Sequence, residues 1–314
     1  VGEWQMARNR TAIRRLPSAI VWVAVIVVLA ILMKAPAPHP APNPPGAFSF
    51  AAMGDAPYYG WEELRYRLLR RELDAYDLRF TIHVGDIWWR PCSDAMYRKT
   101  KQQFDALRAP VYYTPGDNEW TDCWERGSGS YAPLERLQRL RQIFYSGRPV
   151  EFVENARWRH ENIVFATVNM PGSFNAMQPF PKRTAADDEA AKRRTNAAAA
   201  WTRETFAEAK RTNARAVVIA FHGAPPFERI DPKYRQAYEP FMSALEDEAR
   251  RFKRLVLVIH GDDHEYTVDH PQRDAPNLTR LEVPGSPDVG WVRVIVKGDS
   301  FAFEKHVVGT WKWW

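Results

Sequence analysis

The sequence predicts an α/β domain, with helices packed on one sheet and a second sheet stacked against it. Two patterns predict it. From Phe48 onward, short apolar runs alternate with amphipathic ones, the βαβ succession of a helix-covered sheet, and from Glu265 the chain reads as strands alone. No internal repeat or further low-complexity linker interrupts residues 47–314, so a single domain is the simplest organisation.

Phe48 to Met53 reads as a buried strand. Trp61 to Tyr76 places Leu64, Leu68, Leu69 and Leu73 at helical spacing, and Phe80 to Val84 is a second strand. Asp94 to Leu107 is helical, Val111 to Thr114 a short strand and Leu134 to Phe144 a helix. Asn162 to Asn169 is a strand, and alanine-rich Ala185 to Thr212 is the longest helix. Strand Ala216 to Phe221, helix Arg235 to Phe252 and strand Arg254 to Ile259 come next. Glu265 to Asp269, Leu278 to Val283, Trp291 to Val296 and Phe301 to His306 close the chain as strands, which predicts the second sheet.

Ahead of the domain, residues 1–15 are basic and the long apolar run Ala19 to Met33 lies beyond four arginines. Residues 16–33 read as a transmembrane signal anchor, short against the roughly 20 residues a spanning helix needs. A cleaved signal peptide and a buried core helix are the other readings. Either of the first two exports the domain, anchored at the periplasmic or cell-surface side or secreted after cleavage. Residues 34–46, rich in proline, read as a semi-rigid spacer.

The net charge of +6 does not mark a nucleic-acid binder: residues 1–34 hold four arginines, Lys34 and Glu3, leaving +2 for the remaining 280 residues. Two cysteines, Cys92 and Cys123, lack zinc-knuckle spacing. In an exported chain they read as one bridge between two loops, and otherwise as two buried thiols.

The informative feature is the short segment at the end of each strand, because the C-terminal ends of strands in such sheets form the ligand crevice. The first strand ends in Gly54-Asp55, the second in His83-Val84-Gly85-Asp86, and the third in Gly116-Asp117-Asn118-Glu119. Later strands end in Phe221-His222-Gly223 and His260-Gly261-Asp262-Asp263-His264. Glycine beside each acid is expected to let the chain turn there. Carboxylates mixed with imidazoles suit first-row divalent metals.

Taken in order, these five blocks resemble the calcineurin-like metallophosphoesterases, with their Asp-x-His, Gly-Asp, Gly-Asn-His-Asp/Glu, lone His and Gly-His-x-His motifs. The resemblance covers about residues 47–270. It implies a four-layer sandwich of two mixed sheets flanked by helices, and two divalent metal ions. It makes Asp55 and His264 ligands of the first ion, Asp86 the bridge, and Asp117, His222 and Asp262 ligands of the second. Four positions depart from the motifs: Pro57 and Asn118 stand where histidines are usual, Asp117 replaces an asparagine and Asp262 a histidine. Asn118 would take the catalytic position, steadying a phosphoryl oxygen. Four aspartates bring two divalent ions to about zero net charge instead of about +2, which favours manganese, iron or magnesium over zinc and weakens Lewis acidity.

His83 reads as support for a ligand or merely core, Glu119 as a ligand or an orienting group, and Asn175 as reaching the crevice from a loop. The function expected is hydrolysis of a small phosphorylated substrate by a hydroxide activated between two metals, outside the cytoplasm. The alternative is a membrane-anchored pseudoenzyme that binds metal or ligand.

Overall fold

The computed structural model describes residues 41–146, 150–228 and 231–309. Two mixed sheets face each other. The first has strand order β11-β10-β1-β2-β3, from β1 (Ala47–Met53), β2 (Leu78–His83), β3 (Val111–Tyr113), β10 (Gly290–Lys297) and β11 (Ser300–Val307). The second runs β4-β5-β6-β7-β9-β8, from β4 (Arg157–His160), β5 (Ile163–Thr167), β6 (Ala216–Ala220), β7 (Leu255–His260), β8 (Thr267–Asp269) and β9 (Leu278–Glu282).

Period-two alternation decides what each strand buries. Phe48, Phe50 and Ala52 of β1 and Phe80 and Ile82 of β2 meet Phe165, Val218, Leu257 and Ile259 between the sheets. Ala51 and Met53 turn the other way, onto Tyr66, Leu69 and Leu73 of α1 (Glu63–Asp74). Strand β6 is buried along its whole length because its second face, Val217 and Ile219, is covered by α4 (Ala185–Arg211) and α6 (Phe241–Phe252). Between α1 and α4, α2 (Asp94–Asp105) and α3 (Pro133–Phe144) pack Tyr97, Phe104 and Leu140 against Tyr113. Ser93 caps α2, accepting from Met96 N at 3.3 Å.

Register brings the strand ends level. Met53 pairs with His83 and His83 with Tyr113 in the first sheet; Thr167 pairs with Ala220 and Ala220 with Ile259 in the second. Because β1, β2 and β3 are parallel, as are β5, β6 and β7, the segments after them leave at one edge of the sandwich.

Several expectations are corrected. The closing strands do not form a sheet of their own: β8 and β9 extend the second sheet, while β10 inserts antiparallel beside β1 and carries β11. The single helix expected over 235–252 is two, α5 (Pro232–Ala237) and α6, because Pro240 has no N–H to continue the ladder. Arg235 then ties them together, with Nη1 and Nη2 at 2.6 and 3.1 Å from the Glu246 carboxylate. Strand β4, in a stretch given no element in the sequence, is an edge strand. It joins β5 through a turn at Glu161 and Asn162, both at positive φ, and presses Trp158 flat against Tyr112 at 3.5 Å.

The end of the proline-rich segment is hydrogen-bonded to the domain. Ala41 N donates to Ala75 O, Asp77 N to Ala41 O, and Arg293 Nη2 to Asn43 Oδ1 at 2.9 Å. The membrane anchor or signal expected over 16–33 lies outside the described residues. Among the described residues, no helix is long and apolar enough to cross a membrane.

Phe165 is fully buried against Phe50, Phe80 and Trp158. Phe165→Ala is expected to cost about 3–5 kcal/mol, read as a lower denaturation midpoint at unchanged slope.

Candidate metal centre

Asp55, Asp86 and Asp262 at the strand ends, and His264 with them, themselves take left-handed backbone, with φ of 54°, 51°, 82° and 65°, and of the glycines beside the acids Gly85 joins them at 106°. Aspartate tolerates this region better than most residues, and the turn swings each side chain back into the crevice. The glycines serve close approach. A Cβ on Gly116 would stand 2.1 Å from Asp86 Oδ1, and one on Gly261 2.1 Å from Asp55 Oδ2.

His222 lies at the centre, fully buried. Its Nδ1 is 2.9 Å from Val84 O, an atom that can only accept, so Nδ1 carries a proton and Nε2 faces the carboxylates. From Nε2, Asp117 Oδ1 lies at 3.1 Å, Asp86 Oδ1 at 3.3 Å and Asp262 Oδ1 at 3.4 Å. The donors fall into two groups that share His222. One is Asp55, Asp86 and His222, the other Asp117, His222 and Asp262, with ligand atoms inside each group within 4.8 Å of one another. The oxygens of Asp86 divide their contacts: Oδ1 faces His222 and accepts from Asn118 N at 3.1 Å, while Oδ2 accepts from the Tyr58 hydroxyl. His264 joins from the side, with Nε2 3.7 Å from Asp55 Oδ1 and 3.0 Å from the Tyr58 hydroxyl.

Among the described residues, the basic side chains within ion-pair distance of these carboxylates are the two histidines. Among the described residues, buried Asp55 Oδ2 has no hydrogen-bond partner. Burial holds the Asp55 carboxyl up at about 6 against the pull of His222 and His264, and burial pushes Asp86 well above the usual range, helped by Asp117, Glu119 and Asp55. Asp117 goes the other way: burial would raise it, but bonds from His222 and Ser173 bring it to about 2. Four converging carboxylates faced by two imidazoles and no lysine or arginine are costly to hold together, and oxygen and imidazole donors so placed are what divalent metals complete. The residues fit the metals that the sequence implies.

Three supporting groups resolve differently. Glu119 Oε1 accepts from Asp86 N, Gly116 N and the Tyr113 hydroxyl at 3.2, 2.8 and 2.6 Å, so it ties the second strand end to the third. His83 is buried against Phe104 and accepts from Gly85 N at 3.2 Å; burial lowers its ring to about 3, leaving it neutral. Asn118 is half-buried beside Asp86, its backbone N–H spent on that carboxylate.

Asn175 does not reach the crevice. Residues 173–176 form a left-handed turn, with φ between 51° and 59°, at about 1–2 kcal/mol per residue. The turn sends the Asn175 amide to Thr195 Oγ1 and Ala237 O, at 2.7 and 2.8 Å, and its Oδ1 to buried Arg194. Ser173 takes the expected place, donating to Asp117 Oδ2 at 2.6 Å with Asp122 Oδ1 at 2.9 Å. Tyr58, Ser173 and Asp122 were missed in the sequence. Tyr58 had a signal, three residues beyond Asp55, and Ser173 lies two residues before Asn175 in the same loop. Cys92 and Cys123 form a disulfide between the segments beyond Asp86 and Asp117.

No family model matches the sequence, and no curated protein matches it. The solved structures it resembles include TT1561 of Thermus thermophilus, at 14% identity over 84% of this chain and 100% of that one, TM-score 0.48. Another is a phosphatase from Mycoplasma pneumoniae, at 11% identity, 83% and 94% coverage and TM-score 0.41. A third is a serine/threonine phosphatase from Saccharomyces cerevisiae with similarity to human phosphatase PP5, at 12% identity, 94% and 91% coverage and TM-score 0.34. With TM-scores below 0.5, function has to be read from the residues of the site.

Ser173→Ala removes the bond that aims Asp117, so metal affinity should fall about 10–100-fold with the fold intact, by titration of metal-stripped protein. A second expectation concerns pH. Burial holds Asp55 at about 6, Asp122 at about 7 and Glu282 at about 8, all above their unfolded values. The folded, metal-free protein therefore keeps protons that the unfolded chain gives up, and its stability falls as pH rises from about 6.5 to about 8; below that range buried His83 and His260, both lowered to about 3, act in the opposite sense. Denaturant titrations in chelator read this; stability rising with pH across that window would contradict it.

Proposed function

We propose that the domain is a metal-dependent phosphoesterase. The observation that carries this reading is the pair of donor groups meeting at His222, with three buried aspartates and half-buried Asp262, none of them paired to a lysine or arginine among the described residues. Asp55, Asp86 and His264 would hold the first ion, and Asp117, His222 and Asp262 the second, with Asp86 shared. When bound, such ions polarise a phosphoryl oxygen and acidify a water.

The chain's own residues supply the rest. The Val84 carbonyl fixes the His222 tautomer that leaves Nε2 free, and the Ser286 carbonyl, 2.8 Å from Nδ1, does the same for His264. Ser173 and Ala224 N, the latter 3.0 Å from Asp262 Oδ2, orient the carboxylates of the second group. Asn118 offers an amide N–H2 beside Asp86, able to donate to a phosphoryl oxygen as charge builds on it but not to give up a proton. Such a site suits an ester whose leaving group departs without strong protonation.

We place the domain outside the cytoplasm, held by residues 16–33 as an anchor or released by cleavage. The disulfide and the arginine-flanked apolar run support that placement.

Turnover of a chromogenic phosphomonoester and a phosphodiester, by metal-stripped protein reloaded with manganese, iron or zinc, tests the proposal. Metal-dependent hydrolysis lost in Asp86→Ala is expected, with kcat about 10²–10³-fold lower in Asn118→Ala. Metal binding without turnover on either ester would favour the pseudoenzyme reading.

A further inference from the structure

We propose that the cavity beside Asp262 receives the leaving alcohol of the ester and selects one that carries an ammonium group. The inference rests on the phosphoesterase reading above and names a class of substrate for it.

The cavity, of about 190 Å³, adjoins the second donor group. Ala224 stands between the two: its N–H donates to Asp262 Oδ2 at 3.0 Å, and its carbonyl accepts from the hydroxyl of Tyr234, on the cavity wall, at 3.0 Å. Asp263, the residue after Asp262, lines the same cavity. A group seated there lies next to the second metal position. Small-molecule pockets usually enclose roughly 300–1,000 Å³, so this one takes a fragment of a substrate and not a whole nucleotide.

Its polar lining is unfinished. His260, which lines it, is buried at the end of β7 with Nδ1 2.8 Å from Gly261 O, and its Nε2 has no hydrogen-bond partner among the described residues. Buried polar atoms are rarely left so. The carboxylates set the sign of what is missing. Exposed Asp263 and buried Glu282 line the cavity, and Glu282 Oε1 accepts from Glu265 N at 2.9 Å. Among the described residues lining it there is no lysine, and its one arginine, Arg280, is already held by Asp269 and by Glu228, the latter at 2.8 Å. Burial, with Asp263, Asp55 and Glu265 nearby, holds Glu282 up at about 8 against the bond from Glu265 N, as expected where positive charge is short.

An ammonium brings a positive charge and three N–H donors to such carboxylates. Pro225, Pro226 and the Tyr234 ring line the remainder, apolar surface for the carbons of the alcohol and an aromatic ring of the kind that attracts cations. The class of substrate is thus a phosphate ester of an amino alcohol. It also suits Asn118, whose amide donates a hydrogen bond but gives up no proton: a cation held beside the leaving oxygen offsets the charge that builds on it. In the hydrolysis the bond from phosphorus to the alcohol oxygen breaks, a water oxygen bonds to phosphorus, and one proton of that water ends on the alcohol oxygen.

The test has two parts. The first is saturation-transfer NMR on the full-length protein in excess magnesium, with 2-aminoethanol and its uncharged isostere propan-1-ol as probes. Transfer to 2-aminoethanol is expected, absent for propan-1-ol and lost in Asp263→Asn. Equal transfer to both alcohols, transfer to neither, or transfer that survives in Asp263→Asn would overturn the inference and leave the phosphoesterase reading standing. The second is the ratio of kcat/KM for 2-aminoethyl phosphate over propyl phosphate, expected at about tenfold or more in wild type and falling toward parity in Asp263→Asn. Parity in wild type would overturn the subsite even where both esters turn over. Release of 2-aminoethanol from phosphatidylethanolamine vesicles, measured beside the soluble ester, tells a lipid headgroup from a free phosphate as its source. Turnover of no ester, with 2-aminoethanol bound as expected, would remove the phosphoesterase reading and the leaving-group role with it, while the amine site stands.

Discussion

Three carboxylates, those of Asp86, Asp117 and Asp262, approach one imidazole nitrogen of His222 to between 3.1 and 3.4 Å in a buried crevice. Like charges packed this closely in low dielectric repel strongly, and removing them from water costs several kcal/mol each without counter-charge. The surrounding architecture exists to hold that arrangement. Level strand ends bring the groups to one edge, left-handed backbone at Asp86 and Asp262 points those two inward, and Glu119, Ser173 and the Val84 carbonyl fix the orientation of the others. A site so rigidly held has its donors oriented before anything binds, which is what coordination to a small ion rewards.

The same constraint explains why strain is tolerated nearby. The left-handed turn at residues 173–176 has to be held by its surroundings, and Arg194, Thr195 and the Ala237 carbonyl all bond to Asn175 from the α4 and α5 side. Its other end delivers Ser173 to Asp117. The helical layer is thus coupled through one turn to the carboxylates of the second donor group.

Much of this was legible in the sequence. Asp55, Asp86, Asp117, His222 and Asp262 could be read because each comes after an apolar run and sits beside glycine, a local pattern. What depends on nonlocal pairing could not: periodicity marks β10 as a strand but does not say that it lies beside β1 and away from β9. Asn175 was misread because a left-handed turn rotates successive side chains differently from an extended loop, so the crevice received Ser173. Tyr58 was passed over because a phenol is not among the usual donors of the motif, and its proximity to His264 spans 206 residues. The break before α6 was readable at Pro240, where helical periodicity on both sides masked it.

The central claim is that the buried carboxylates form a metal site whose protons leave when metal enters. Titration calorimetry of chelator-treated protein with manganese, run at one pH near 7 in two buffers of different ionisation enthalpy, tests it most directly. The account predicts two ions per chain, with net proton release that appears as a buffer-dependent heat. Absence of binding, or binding with no buffer dependence, would contradict it.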